Sequence, residues 1–223
     1  MAHSPENTLA TFSLGLKLGA NGLETDAWTT ADGHVVLDHD GVVRKFGRKR
    51  AISSMNVRDL PDHIPTLASL FETCGVNYDL SIDIKDEAGF VRCAETAREC
   101  GFDESRLWLC HYSSAVVIAQ RPKVPHVKLV DSTRIARMKE GLEMRCASLS
   151  AHGIDALNMH HSDWTGGSTT LVHKFNLFAF GWDAQFDYVL SNALRMGLDA
   201  VYSDHVDTMV EAYSREIGYV PRV

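Results

Sequence analysis

Strand and helix signals alternate along almost the whole chain, and that alternation limits the folds open to it. Gly22-Leu23-Glu24-Thr25-Asp26-Ala27-Trp28 reads as a strand, and residues 79–85 alternate apolar and polar side chains with period two. Segments at 106–111, 126–131, 154–159, 176–182 and 199–204 read as further strands that follow helical stretches. Such alternation implies a parallel sheet with helices packed outside it. Seven strands of this kind are one short of a closed (β/α)₈ TIM barrel, and the chain opens directly on a helix signal. The expected architecture is therefore an α/β barrel whose first strand is missing before residue 1, or a barrel that does not close.

Two pieces interrupt the alternation. Ala31-Asp32-Gly33 is a tight turn, and 34–40 continues as an extended arm, which predicts a hairpin with the strand at 22–28. Residues 41–64, rich in Arg, Lys, Ser and Asp, read as an irregular excursion before Pro65-Thr66-Leu67 starts a helix. The N-terminal helix is expected to be capped by Ser4, with Pro5 and Glu6 in its first turn. Leu9, Phe12 and Leu16 follow at helical spacing, and Gly19 closes it.

Composition narrows the class. A chain of 223 residues that is 45% hydrophobic can bury one sizeable core, and no low-complexity or Pro-rich linker divides it, so residues 1–223 read as one domain. A formal net charge of −7 argues against general nucleic-acid binding, which needs a basic face. The five cysteines form no C-x-x-C motif and read as free thiols. With no leader-like start and no apolar run of membrane-spanning length, they point to a cytoplasmic setting.

The chemistry is concentrated at strand ends. Glu24 and Asp26 lie two residues apart on a strand, so both carboxylates share one face, where a divalent cation such as Mg²⁺ or Ca²⁺ relieves their repulsion. Taken alone, E-x-D is better explained by a solvated edge strand. In Leu80-Ser81-Ile82-Asp83-Ile84-Lys85, however, the apolar residues face the helices, which turns Ser81, Asp83 and Lys85 to the barrel interior. Asp83 and Lys85 thus reach the C-terminal strand end where barrel enzymes keep their sites, although a structural ion pair explains these two as well.

His39, flanked by Asp38 and Asp40, suits proton transfer. His111, His160, Phe180 and Trp182 are candidates for lining the mouth as substrate-binding residues, one of the two aromatics being expected in the core instead. Arg44, Lys45, Arg48, Lys49 and Arg50 could attract a phosphate, though a solvated loop explains them as well. No phosphate-binding P-loop, dinucleotide glycine fingerprint or G-x-S-x-G elbow is present.

Pro5-Glu6-Asn7-Thr8-Leu9, Gly19-Ala20, Glu24-x-Asp26, Thr30-x-Asp32-Gly33, Val35-Val36 and His39-Asp40 follow one another in a familiar order. Ile64-Pro65-Thr66-Leu67, Asp83-Ile84-Lys85, Gly197-Leu198-Asp199-Ala200 and Ser203-Asp204 continue it. In order and spacing these motifs resemble the glycerophosphodiester phosphodiesterases, across nearly the whole chain, and the excursion resembles that family's small inserted subdomain. The resemblance implies a TIM barrel that hydrolyses glycerophosphodiesters to sn-glycerol 3-phosphate and an alcohol. It implies that Glu24, Asp26 and Asp83 hold a divalent metal, that His39 is one of two acid–base histidines, and that Lys85 neutralises phosphoryl oxygens.

Two departures from the family pattern carry consequences. The third acid is usually Glu and is Asp83 here. A strand ending in His-Arg-Gly, which carries the second histidine and a phosphate-binding arginine, usually precedes Pro-Glu-Asn-Thr. His3 stands too close to Pro5 to replace it, so Met1 is expected to be an internal methionine of a longer protein. If it is not, the alternative is a catalytically impaired barrel that binds phosphorylated ligands or a partner, since losing one acid–base group costs about 10²–10⁴-fold in rate. The related phospholipase D toxins, secreted and disulfide-bonded, fit these cysteines poorly.

Overall fold

In the computed structural model, which describes residues 5–45 and 48–218, strands and outer helices alternate as expected. After α1 (Leu9–Lys17), β1 (Gly22–Thr29) pairs with the arm β2 (Val35–Leu37), and a small hairpin β3 (Val42–Lys45) and β4 (Arg48–Ala51) follows. The regular part then runs α2 (Leu67–Cys74), β5 (Asp79–Ile84), α3 (Gly89–Glu99), β6 (Leu107–His111), α4 (Ser114–Gln120) and β7 (Lys128–Thr133). It continues through α5 (Leu142–Ala151), β8 (Ala156–His160), α6 (Gly166–Lys174), β9 (Phe178–Trp182), α7 (Asp187–Arg195), β10 (Ala200–Val201) and α8 (Val206–Ile217).

The main sheet has the order β10-β9-β8-β7-β6-β5-β1-β2, with every pair parallel except β1 and β2. Among the described residues β1 and β10 do not pair, so the barrel is open between them. The sheet is nevertheless curled. Ser81 Oγ on β5 lies 3.0 Å from the hydroxyl of Tyr202, just after β10, although β6, β7, β8 and β9 separate the two strands in the sheet.

Period-two patterning sets which side chains reach that interior. On β5, Leu80, Ile82 and Ile84 are almost fully buried against the helices, each contributing about 1.5–3 kcal/mol of burial. On β1, Leu23, Thr25 and Ala27 take the helix side. Their neighbours therefore face the lumen. Cys110, Val130, Ala156 and Phe180 fill it as a second apolar cluster, with Trp108, Ala200 and Tyr202 packed against them.

Three expectations change. The first helix begins at Leu9, capped by Thr8, whose hydroxyl accepts from the Thr11 amide. It cannot begin at Pro5, because Asn7 takes φ 53°, a left-handed conformation that interrupts a helix. The proposed Ser4 cap and His3 lie outside the described residues.

The excursion is more ordered than its composition suggests. Its hairpin and two 3-10 turns, Ile52–Ser54 and Val57–Asp59, belong to a small core of Val36, Val43, Ile52 and Met55. Trp28, Val57, Leu60 and Ile64 pack against that core. The hairpin register sets Arg44 opposite Lys49, a pair that repels and does not announce a strand. The last strand is also shorter than 199–204: its register with β9 covers Ala200 and Val201, flanked by the Asp199 and Tyr202 amides, which donate to the Ala179 and Gly181 carbonyls. No helix among the described residues is long and apolar enough to cross a membrane.

Candidate functional site

The acidic residues meet because β1 and β5 pair in parallel with a fixed register. Glu24 is opposite Ser81, and Asp26 is opposite Asp83. Lys85 follows β5 and returns its ammonium to both aspartates, at 2.8 Å from Asp26 Oδ1 and 2.6 Å from Asp83 Oδ2. Desolvation works against the Lys85 charge, but the two carboxylate bonds outweigh it and keep the ammonium charged well beyond neutral pH.

Asp26 has a further support. Asn7 donates from Nδ2 to Asp26 Oδ2 (3.2 Å) and accepts from the hydroxyl of the fully buried Thr25 (2.6 Å). The left-handed turn that delays α1 is what lets Asn7 reach back to β1. No spacing rule points to Asn7; only its place in Pro5-Glu6-Asn7-Thr8 marks it.

Glu24 stands on the open side of the barrel, where water reaches its side chain. The surrounding protein still raises its pKa from 4.5 to about 8, through desolvation first and the Asp26 and Asp83 carboxylates next. Because water does reach it, desolvation is the part that solvent softens, and the repulsion among three acids is the firmer cause. Ionised, these carboxylates face the single ammonium of Lys85 and leave two uncompensated negative charges. That donor set fits one hard divalent cation in charge and in its all-oxygen chemistry. The fit requires adjustment, since Glu24, Asp26 and Asp83 do not bring oxygens within 4.8 Å of one another.

His39 follows β2, where the arm comes back beside β1: the Asp38 amide donates to the Asp26 carbonyl. Its imidazole is largely exposed, with Nδ1 3.0 Å from Asp40 Oδ1. The Asp40 hydrogen bond raises its pKa, and the Asp26 charge adds to this. His39 is thus drawn to the same electrostatic centre as the acids.

The proposed mouth residues separate into two groups. His160 and Trp182 are register partners on β8 and β9, and their rings meet edge to face at 4.6 Å. His160 Nε2 lies 3.1 Å from Asp183 Oδ2. Phe180 is the one of the two aromatics that the core takes. It is buried in the lumen cluster, edge to face with Trp108 at 5.0 Å, and serves as core below the mouth.

His111 is set apart from the lumen side of the mouth. Its neighbour Cys110 takes the lumen side of β6, so His111 turns outward, tilted against Phe90 of α3, while its Nδ1 accepts from the Ser113 amide. Residues not singled out from the sequence complete the rim. Gln185 donates to both Asp183 and Asp204, and its carbonyl accepts from the Asp204 amide.

An α/β barrel with carboxylates and a bridging lysine on neighbouring strands gathers its polar groups where barrel enzymes keep their active sites. The sequence profile of the Glycerophosphoryl diester phosphodiesterase family matches residues 1–208, and the chain belongs to that family. A glycerophosphodiester phosphodiesterase of Caldanaerobacter subterraneus is 23% identical, covering 92% of this chain and 91% of its own length. Among solved structures, a glycerophosphodiester phosphodiesterase of Thermotoga maritima superposes with a TM-score of 0.79 at 22% identity, covering 94% of this chain and 93% of its own. A phosphodiesterase of Oleispira antarctica, in complex with the product sn-glycerol-3-phosphate, gives 0.78 at 18% identity, covering 96% and 93%. These likenesses establish the barrel fold.

Proposed function

We propose that the chain hydrolyses glycerophosphodiesters, releasing sn-glycerol 3-phosphate and an alcohol, with a divalent cation of the Mg²⁺ or Ca²⁺ kind held by Glu24, Asp26 and Asp83. The observation that carries this reading is the register match of Asp26 with Asp83, bridged by Lys85, in a chain of this family. When bound, the cation polarises a phosphoryl oxygen and offsets the charge that builds there.

The chain's own groups supply the rest. Lys85 adds a second positive charge beside the phosphoryl oxygens, and its two aspartate bonds fix its position. His39, kept basic by Asp40, delivers a proton to the departing alkoxide oxygen and so prevents a poor leaving group from recombining. Trp182 and His160 offer an aromatic and polar wall for the head group across the mouth. Asn7 holds the second oxygen of Asp26, so that this carboxylate presents one orientation.

The test is release of sn-glycerol 3-phosphate from glycerophosphocholine, with and without EDTA. It is run on this chain and on a version carrying a His-Arg-Gly segment at its N-terminus. Metal-dependent release supports the proposal. Intact cation binding with no release from either version supports the alternative, a barrel that binds phosphorylated ligands without turnover.

A further inference from the structure

We infer that His160, His161 and Asp183 form a second metal site at the barrel rim, selective for a borderline transition-metal ion such as Zn²⁺ and separate from the carboxylate centre. Each residue offers one donor atom, and the three atoms lie within 4.8 Å of one another. No other trio of His, Cys, Asp or Glu among the described residues meets that condition.

The fold builds this cluster from two strand ends. His160 closes β8, His161 opens the 3-10 turn that follows, and Asp183 comes directly after β9. The β8–β9 register pairs His160 with Trp182, which brings Asp183 alongside. The 3.1 Å between His160 Nε2 and Asp183 Oδ2 is close to the donor–donor edge of about 3.3 Å expected for tetrahedral Zn²⁺ with bonds near 2.0–2.1 Å.

Outer contacts hold both ligands, as metal ligands require. In the metal-free chain the Ser162 amide donates to His160 Nδ1 at 3.2 Å, which puts the ring proton on Nε2 toward Asp183. A metal at Nε2 would move that proton to Nδ1, where Ser162 Oγ at 2.8 Å can accept it. Asp183 Oδ1 accepts from Gln185 Nε2, leaving Oδ2 for the ion. Asp183 also takes φ 61°, an uncommon conformation for a residue other than glycine.

The charges nearby are compatible with a cation. Arg134 lies 5.8 Å from the centre of the Trp182 ring, but Asp163 pairs with it at 2.6 Å and neutralises it. Two imidazoles and one carboxylate favour Zn²⁺ over Mg²⁺ or Ca²⁺, the reverse of the preference at Glu24, Asp26 and Asp83. Three protein donors leave a fourth position for water or for an anionic oxygen at the mouth.

The test is titration of the metal-free chain with Zn²⁺ in saturating Mg²⁺, followed by calorimetry and by metal analysis after gel filtration. A single retained Zn²⁺ per chain is expected. His160→Ala, His161→Ala and Asp183→Asn should each abolish retention, whereas Glu24→Gln with Asp26→Asn should leave it intact. Asn tolerates the φ of Asp183, so that variant keeps the fold. Ser162→Ala, which removes only an outer contact, should weaken binding by about 10–100-fold. No retained Zn²⁺ in the parent chain, or retention unchanged in the three ligand variants, overturns the site. Binding is read without turnover, so this result stands apart from the hydrolysis assay.

Discussion

Asp26 and Asp83 are register partners on adjacent parallel strands, and one ammonium, that of Lys85, bonds to both. A divalent cation bound by these carboxylates must share them with Lys85. In Lys85→Met the acids lose their internal counter-charge, and the metal-free protein should lose about 1.5–3 kcal/mol, the range for bonds to a charged group. Mg²⁺ should then stabilise the variant more than the parent, because the ion replaces the missing charge. Denaturant melts with and without Mg²⁺ test this. Equal stabilisation of both proteins would show that the cation does not use the carboxylates Lys85 holds.

Glu24 makes the metal-free protein sensitive to pH in a predictable direction. Its pKa in the fold is raised from 4.5 to about 8, so folding favours the protonated form. Stability from this group is complete below pH 4.5 and is lost as pH rises through 8. The metal-free melting temperature should therefore fall between about pH 5 and 8, and Glu24→Gln should flatten that slope. Saturating Mg²⁺ should flatten it too, because ion binding at neutral pH displaces the proton. Calorimetry in two buffers of different ionisation enthalpy would detect the release. A slope unchanged in Glu24→Gln would assign the pH dependence to other groups.

His39 owes its raised basicity first to Asp40 and next to Asp26. If His39 protonates the leaving alkoxide, activity falls above its pKa, and weakening the Asp40 contact moves that fall to lower pH. Asp40→Asn should shift the alkaline limb of the kcat/KM profile downward with a smaller effect at the optimum. His39→Ala should cost on the order of 10²–10⁴-fold in turnover. A profile that keeps its alkaline limb in Asp40→Asn would remove the pair from the acid–base step.

How much of this was legible beforehand follows from what each residue depends on. Glu24, Asp26, Asp83 and Lys85 could be placed because strand alternation fixes their face, and register then follows from burying Leu80, Ile82 and Ile84. Which of Phe180 and Trp182 enters the core, and which way His111 turns, could not be read for a related reason. Depth along a strand, and face at a strand end, depend on where pairing begins, and the lumen position of Cys110 decides His111. Asn7 was marked only by its motif and Gln185 not at all, because their roles arise from contacts across long stretches of chain, 18 residues to Thr25 and 19 to Asp204. The hairpin at 42–51 was hidden by cations, which mask the buried Val43 that anchors it.

Asn7 should couple fold stability to metal affinity. Asn7→Ala leaves the hydroxyl of Thr25 buried without its acceptor and frees one oxygen of Asp26. An unsatisfied buried polar group costs about 1–3 kcal/mol. Adding Thr25→Val, which removes the orphaned hydroxyl with little change of shape, should recover most of that stability. It should not recover metal affinity, because Asp26 remains unsupported. Recovery of both would reduce Asn7 to a purely structural role.

Gly41 connects the arm that carries His39 to the indole of Trp28. A Cβ at Gly41 would lie 2.2 Å from Trp28 Cε2, and the residue also sits at φ 67°, which side chains adopt at a cost. Its amide donates to Asp38 Oδ2 at 2.7 Å, so its place in the backbone sets the turn around His39. Gly41→Ala should therefore destabilise the protein by about 1–3 kcal/mol and displace His39 at the same time. Turnover measured well below the melting temperature should fall by more than the folded fraction does. Trp28→Leu in the Gly41→Ala background relieves the steric overlap but not the positive φ, so it should restore part of the stability. Full turnover in Gly41→Ala would show that the arm tolerates displacement and that His39 is not held by this contact.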